Sequence, residues 1–172
     1  MRTIQAAVYK FNELTEEAKN KAINELCDIN ILDIWWNDTY EDASNIGLEI
    51  TSFSLDRANY CNGRFVNCAE ETAENIIKEH GEECETYKTA KSYLENRGIL
   101  AEKYSEDNYE EFDYKVNKLD ENFLNALLND YKDILKEEYE YLQSDESIIE
   151  TIESNEYEFT VDGKMYEEVK NV

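Results

Sequence analysis

Between Leu119 and Leu142 the side chains Leu124, Leu128, Tyr131, Leu135 and Leu142 keep to one helical stripe, widened by Leu127 and Ile134. Apolar residues separated by three and four positions commit a segment to a helix that must bury that face. The spacing predicts a helix of roughly 24 residues, the longest element of the chain. No proline occurs anywhere to interrupt it. On the face broadly opposite, Asp130, Asp133, Glu137 and Glu140 step by three, four and three residues and form a line of carboxylates. Like charges at this spacing cost an isolated helix a few tenths of a kcal/mol per pair, roughly 0.2–0.5, so packing of the apolar stripe must offset them.

The first hundred residues alternate between strand and helix signals. TIQAAVYKF reads as a strand, and Thr15 caps a helix in which Ala18, Ala22, Ile23, Leu26 and Ile29 recur at helical spacing. After Trp35 and Trp36, read as core anchors, DTYEDASNIG predicts a short helix stopped by Gly47. LEITSFS alternates like a strand, and Asn62-Gly63 predicts the tight turn of an antiparallel hairpin. CAEETAENIIKEHG and ECETYKTAKSYLENRG are then a pair of helices ended by Gly81 and Gly98. Beyond the long helix, SDESIIETIES predicts another helix with a Ser or Asp cap, and Asp162-Gly163 a second hairpin. The expectation is an α+β fold: a small antiparallel sheet packed with several helices over residues 1–100. Residues 101–172 form an acidic helical extension that ends in a hairpin and packs on that core as one domain.

Charge limits the partners. The chain carries 41 acids against 17 Lys and Arg, a formal charge of -24, well past the magnitude of about 2–8 that keeps a small domain soluble. Residues 101–172 hold 22 of the acids and 7 of the bases. Phosphate binding requires clustered Lys and Arg, so nucleic acid is not the expected direct partner; a basic protein surface is. A compositional habit or a halophilic source is the alternative origin of the charge. No run of about 18 apolar residues points to a membrane span, and MRTIQAAVYKF lacks the apolar centre of a signal peptide, so a cytoplasmic protein is expected. Cys27, Cys61, Cys68 and Cys84 are widely spaced, without a Cys-x-x-Cys pair, and are read as reduced, partly buried thiols rather than zinc ligands.

Candidate chemistry is sparse. His80, the one histidine, stands at a predicted helix end, where the carbonyl dipole favours an imidazolium. A Cys–His nucleophile would need Cys84 beside it, yet Glu82, Glu83 and Glu85 around that thiol oppose a thiolate. Carboxylate pairs are too numerous to single out an acid/base dyad or a metal-dependent nuclease, and no Gly-rich phosphate loop is present. No cofactor is expected.

The remaining candidate is the acidic surface itself. In YSEDNYEEFDY, Tyr109, Phe112 and Tyr104 would pin the segment while Glu106, Asp107, Glu110, Glu111 and Asp113 face outward. Tyrosines among carboxylates suit a partner rich in Arg and Lys, through steering and cation–π contact. A mobile acidic linker is the alternative. For the row Asp130, Asp133, Glu137, Glu140, neighbours roughly 5–6 Å apart at Cβ approach the spacing of successive phosphates. That geometry permits mimicry of nucleic acid; a solvated face flecked with Lys132 and Lys136 is the alternative.

The strings YKFNELTEEAKNKAI, WWNDTYEDASNIGLEITSFSLDRANYCNGRF and AEETAENIIKEHGEECETYKTAKSYL resemble small acidic proteins of tailed phages and mobile elements, over about residues 8–94. The resemblance implies a phage-like origin, in which such proteins often counter host defence, as anti-CRISPR or anti-restriction proteins do. It carries over no site residue, and residues 100–172 lie outside it. The leading expectation is a non-enzymatic inhibitor of a host nucleic-acid-binding defence protein, a CRISPR effector or restriction enzyme, acting through a nucleic-acid-mimicking surface. An acidic regulator or antitoxin-like protein that neutralises a basic partner is the second, and a metal-dependent hydrolase or nuclease using paired carboxylates the third. Monomer and homodimer both stay open.

Overall fold

The apolar stripe of the C-terminal third is a helix, as its spacing requires, but a longer one: α5 runs Tyr109–Leu142, 34 residues. In a computed structural model that describes residues 7–104 and 109–166, the fold is α+β. The order is β1 (Tyr9–Lys10), a 3-10 turn (Phe11–Glu13), α1 (Glu16–Glu25), α2 (Asn37–Asn45), β2 (Leu48–Ser54), β3 (Tyr60–Phe65), α3 (Ala69–Glu79) and α4 (Glu85–Lys103). Then come α5, α6 (Asp145–Ser154) and β4 (Glu158–Phe159). The strands form two separate antiparallel pairs, β1 with β4 and β2 with β3. No helix among the described residues is long and apolar enough to cross a membrane.

The chain divides into two units, Trp36–Glu137 and a second one made of both chain ends, 1–35 with 138–172. The boundaries fall between Trp35 and Trp36 and between Glu137 and Glu138, not near residue 100. The two tryptophans accordingly serve different units: Trp35 lies 5.5 Å from the Tyr139 ring, Trp36 5.5 Å from Phe53.

In the unit 36–137, β2 turns Leu48 and Ile50 inward and Glu49 and Thr51 outward, following the period of two that a half-buried strand requires. Its core joins Ala43, Ile46, Leu48 and Ile50 to Ala73 and Ile76 of α3, Tyr93 of α4, and Phe123, Leu127 and Tyr131 of α5. Phe123 stacks on Tyr93 at 4.3 Å and on Phe65 at 5.5 Å. Gly47 ends α2 at φ +87°, a conformation that favours glycine.

The hairpin turn is not at Asn62-Gly63. Both lie inside β3, and the chain reverses at 55–59, where Asn59 takes φ +40° and donates its N–H to the Asp56 carbonyl at 2.9 Å. Gly63 instead permits close approach, since a Cβ there would lie 2.6 Å from the Glu49 carbonyl oxygen and 2.8 Å from Leu128 Cδ2. Nor does Gly98 end a helix: α4 continues to Lys103 with nothing within 4 Å of the position a Cβ would take. Glycine lowers helix stability without forbidding the helix.

In the unit of the chain ends, Thr15 Oγ1 accepts the Ala18 N–H at 3.3 Å and Ser144 Oγ the Ser147 N–H at 3.2 Å, the caps expected of α1 and α6. Phe11, Leu14, Ala18, Ala22, Ile148, Ile152 and Phe159 form its core. The strand expected across residues 3–11 narrows to Tyr9–Lys10 within the described residues, paired with Phe159 and Glu158. The Asp162-Gly163 hairpin forms, with Phe159 bridged to Met165 and Gly163 at φ +82°.

Candidate functional site

The cap of α3 sets the site. His80 takes φ -96°, ψ 150° and donates its backbone N–H to the Ile76 carbonyl, ending the helix in extended backbone rather than in a left-handed Gly81. Its imidazole turns inward, leaving the side chain 10% exposed. Nδ1 lies 2.7 Å from Thr86 Oγ1, in the first turn of α4. Nε2 lies 3.5 Å from Asp42 Oδ1 on α2 and makes no hydrogen bond, so that contact is electrostatic. The buried Tyr131 of α5 donates its hydroxyl to Asp42 Oδ2 at 2.7 Å, fixing the carboxylate from the other side.

Around this chain of contacts opens a cleft of about 480 Å³. Asp42, Glu79, Glu85, Asp130, Asp133 and Glu137 line it with His80, Gly81, Cys84, Thr86 and Ile134. The six carboxylates come from α2, α3, α4 and α5, and no Lys or Arg among the described residues lines the cleft. Lysines stand at its rim: Lys78 is 2.6 Å from Glu79, Lys88 2.8 Å from Glu85 and Lys132 3.5 Å from Asp133. These partners of exposed carboxylates are screened by water and contribute little to stability.

Asp42 and Asp130 are perturbed in opposite directions. The facing His80 imidazole, and after it the Tyr131 hydrogen bond, hold Asp42 below the usual carboxylate range against the effect of burial. Burial pushes Asp130 upward; a hydrogen bond from Thr89 opposes it, and the charges of Glu85 and Asp133 add to it. Asp130 Oδ2 is buried and has no hydrogen-bond partner.

The acidic row on α5 is therefore not uniform. At 100° per residue Asp130 lies at the edge shared with Leu127 and Ile134, so the packing that buries the stripe draws it into the cleft. Asp133 and Glu137 are exposed on the cleft's rim, and Glu140 is exposed and belongs to the other unit. Of the acids near the start of α5, Glu106 and Asp107 lie outside the described residues. Glu110, Glu111 and Asp113 are exposed in its first turns and do not line the cleft. Glu111 accepts a hydrogen bond from Tyr104 at 3.1 Å and Asp113 one from Asn117 at 3.2 Å. Tyr109 does not pin this segment, being 70% exposed, whereas Phe112 is half-buried with its ring 6.2 Å from Tyr104.

Asp42, Glu79, Glu85 and Thr86 had no signal in the sequence, because nothing local distinguishes them among so many acids and threonines. His80 did stand out, but as a helix end. Neither of its ring nitrogens hydrogen-bonds Cys84, although both residues line the cleft. The thiols are more open than expected: Cys27, Cys68 and Cys84 are exposed, and only Cys61 is half-buried, its pKa raised to about 11 by burial. Among the described residues no group of three His, Cys, Asp or Glu is arranged to hold a metal ion. Comparison of the chain with protein-family models, curated proteins and solved structures gives no match in any of the three.

Proposed function

We propose that this chain is a non-enzymatic acidic protein that binds a basic, nucleic-acid-binding partner in place of its nucleic acid. The observation that supports this reading is the convergence of six carboxylates from four helices on one cleft, on a framework whose apolar residues are buried. Carboxylates carried on a packed framework meet a cationic surface at a smaller entropy cost than those on a mobile chain, and a net negative field speeds encounter with it. The phage resemblance suggests the setting: the cytoplasm of a host cell, with a CRISPR effector or restriction enzyme as the partner.

Capture of bound proteins from a bacterial lysate at low and at high salt tests the partner class. The expected result is a basic nucleic-acid-binding protein, retained at low salt and released at high. Asp130, Asp133, Glu137 and Glu140 changed together to Asn or Gln should abolish retention while leaving the far-UV circular dichroism unchanged; full retention overturns the reading. Displacement of the chain by guide RNA or DNA is required of a nucleic-acid competitor. A basic partner that stays bound would instead identify an antitoxin-like regulator, and micromolar binding of magnesium or manganese in calorimetry would favour a hydrolase.

A further inference from the structure

The floor of the cleft carries more than negative charge. His80 is nine-tenths buried, and its Nε2 is unpartnered and faces Asp42 Oδ1 across 3.5 Å. With the ring proton on Nδ1, donated to Thr86, Nε2 is an acceptor beside the Asp42 carboxylate and open to an incoming donor; with a proton on Nε2 it faces Asp42 instead. Asp130 Oδ2, contributed by α5 to the same cleft, is a third acceptor shielded from water and without a partner. Buried polar atoms are satisfied in nearly all folded proteins, so two buried atoms without hydrogen-bond partners in one cleft, His80 Nε2 and Asp130 Oδ2, mark a place where a donor is missing.

From this we infer that the cleft is a socket for one arginine side chain, presented by a basic polypeptide, whose guanidinium donates to Asp42, His80 Nε2 and Asp130. The inference rests on the reading of the chain as a binder of basic proteins and names what one of its sites takes. Arginine fits better than lysine for two reasons. The acceptors come from α2, the end of α3 and α5, and so reach the cleft from different sides; a planar guanidinium offers five donors spread over a fork, where an ammonium is a compact, strongly hydrated point. The cleft also has an apolar wall, Ile134 with 39% of its surface exposed beside Gly81 and Cys84, against which an aliphatic stem can lie. Its volume of about 480 Å³ is ample for one such side chain. Asp133 and Glu137 at the rim supply the outer field, and Lys78, Lys88 and Lys132 hold Glu79, Glu85 and Asp133 at the edge, leaving Asp42 and Asp130 to the guest.

The single histidine makes the test site-specific, because the full chain gives one pair of imidazole signals, Cδ2–H and Cε1–H, in a proton–carbon NMR spectrum. Titration with N-acetyl-arginine amide should shift those signals saturably, N-acetyl-lysine amide should bind more weakly, and the isosteric but uncharged N-acetyl-citrulline amide should not bind. Asp130→Asn should weaken the arginine derivative about tenfold or more, as loss of a charged hydrogen-bond partner does. Glu137→Gln, at an exposed position that cannot disturb the core, should weaken it less. Unmoved imidazole signals, equal response to citrulline, or equal affinity for lysine overturns the socket. A chain that fails here yet still competes with nucleic acid for a basic partner loses only the socket. One that binds the arginine derivative but captures no such partner loses the broader reading instead.

Discussion

In the unit formed by the chain ends, Asn30 uses both ends of its amide. Its nitrogen donates to the Leu142 carbonyl at 3.1 Å and to Ser147 Oγ at 3.0 Å, and its oxygen accepts from Thr151 Oγ1 at 2.7 Å. In the unit 36–137, His80 Nε2 and Asp130 Oδ2 are shielded from water and have no hydrogen-bond partner. A closed network of this kind holds segments together that are 121 residues apart, as with Asn30 and Thr151. An open one costs stability and is kept where a ligand completes it. Both units hold satisfied structural contacts, such as Tyr93 with Asp120 in the unit 36–137, but the two buried atoms without a hydrogen-bond partner among the described residues both lie in that unit.

Several substitutions bear on that contrast. The largest effect is expected of Phe159→Ala, at a fully buried position whose ring meets Phe11 edge-on at 6.1 Å. A loss of about 3–5 kcal/mol is expected in urea denaturation, with hydrogen exchange rising in α1 and α6 more than in α3 and α4. Equal rises in both would mean that the two cores melt as one and the contrast has no energetic meaning. Gly163→Ala should cost about 2–3 kcal/mol, because φ is +82° there and an added Cβ would run into the Ala18 carbonyl oxygen; the same denaturation measures it.

Asn30→Leu would leave Ser147 and Thr151 without their partner and is expected to cost about 2 kcal/mol. Asp130→Asn, the matching change in the open network, should do the reverse and stabilise the free chain by less than about 1 kcal/mol, since the site is only partly shielded. Sign and pH dependence follow together. The folded-state pKa of Asp130 is raised, so its contribution is present at low pH and is lost as pH rises through that value, above the ordinary carboxylate value of about 3.9. Asp42 is lowered, so its contribution is present above about 3.9 and is lost as pH falls through its folded value. Melting temperature against pH should therefore fall less steeply above about 3.9 in Asp130→Asn and less steeply on acidification below about 3.9 in Asp42→Asn. If Asp130→Asn is destabilised as much as Asn30→Leu, Asp130 is a structural group and the cleft is closed after all.

Much of the secondary structure was legible because its causes lie within a few residues. Thr15 and Ser144 cap the helices they were expected to cap, Gly47 ends α2, and the stripe on α5 faces a core. Glycine misled where its local meaning was overruled. Asn62-Gly63 has the composition of a turn, but Gly63 is required where the Glu49 backbone and Leu128 come close, a contact invisible in its neighbours. The start of α5 was missed although Phe112, Val116, Leu119 and Phe123 step by four, three and four residues, because the acids and tyrosines among them hid that spacing.

The sequence by itself determined that the chain makes α-helices with short antiparallel strands, and that it carries a large net negative charge. Periodicity, capping and net charge are local or summed properties and need no knowledge of contacts. Only the tertiary structure decided that β1 pairs with β4, that Asp130 is half-buried in a cleft whose rim holds Asp133 and Glu137, and that His80 meets Asp42 and Thr86 there. Those outcomes depend on which apolar faces find each other across long stretches of chain. Side chains with identical local surroundings are then separated by what the folded core leaves exposed and what it covers.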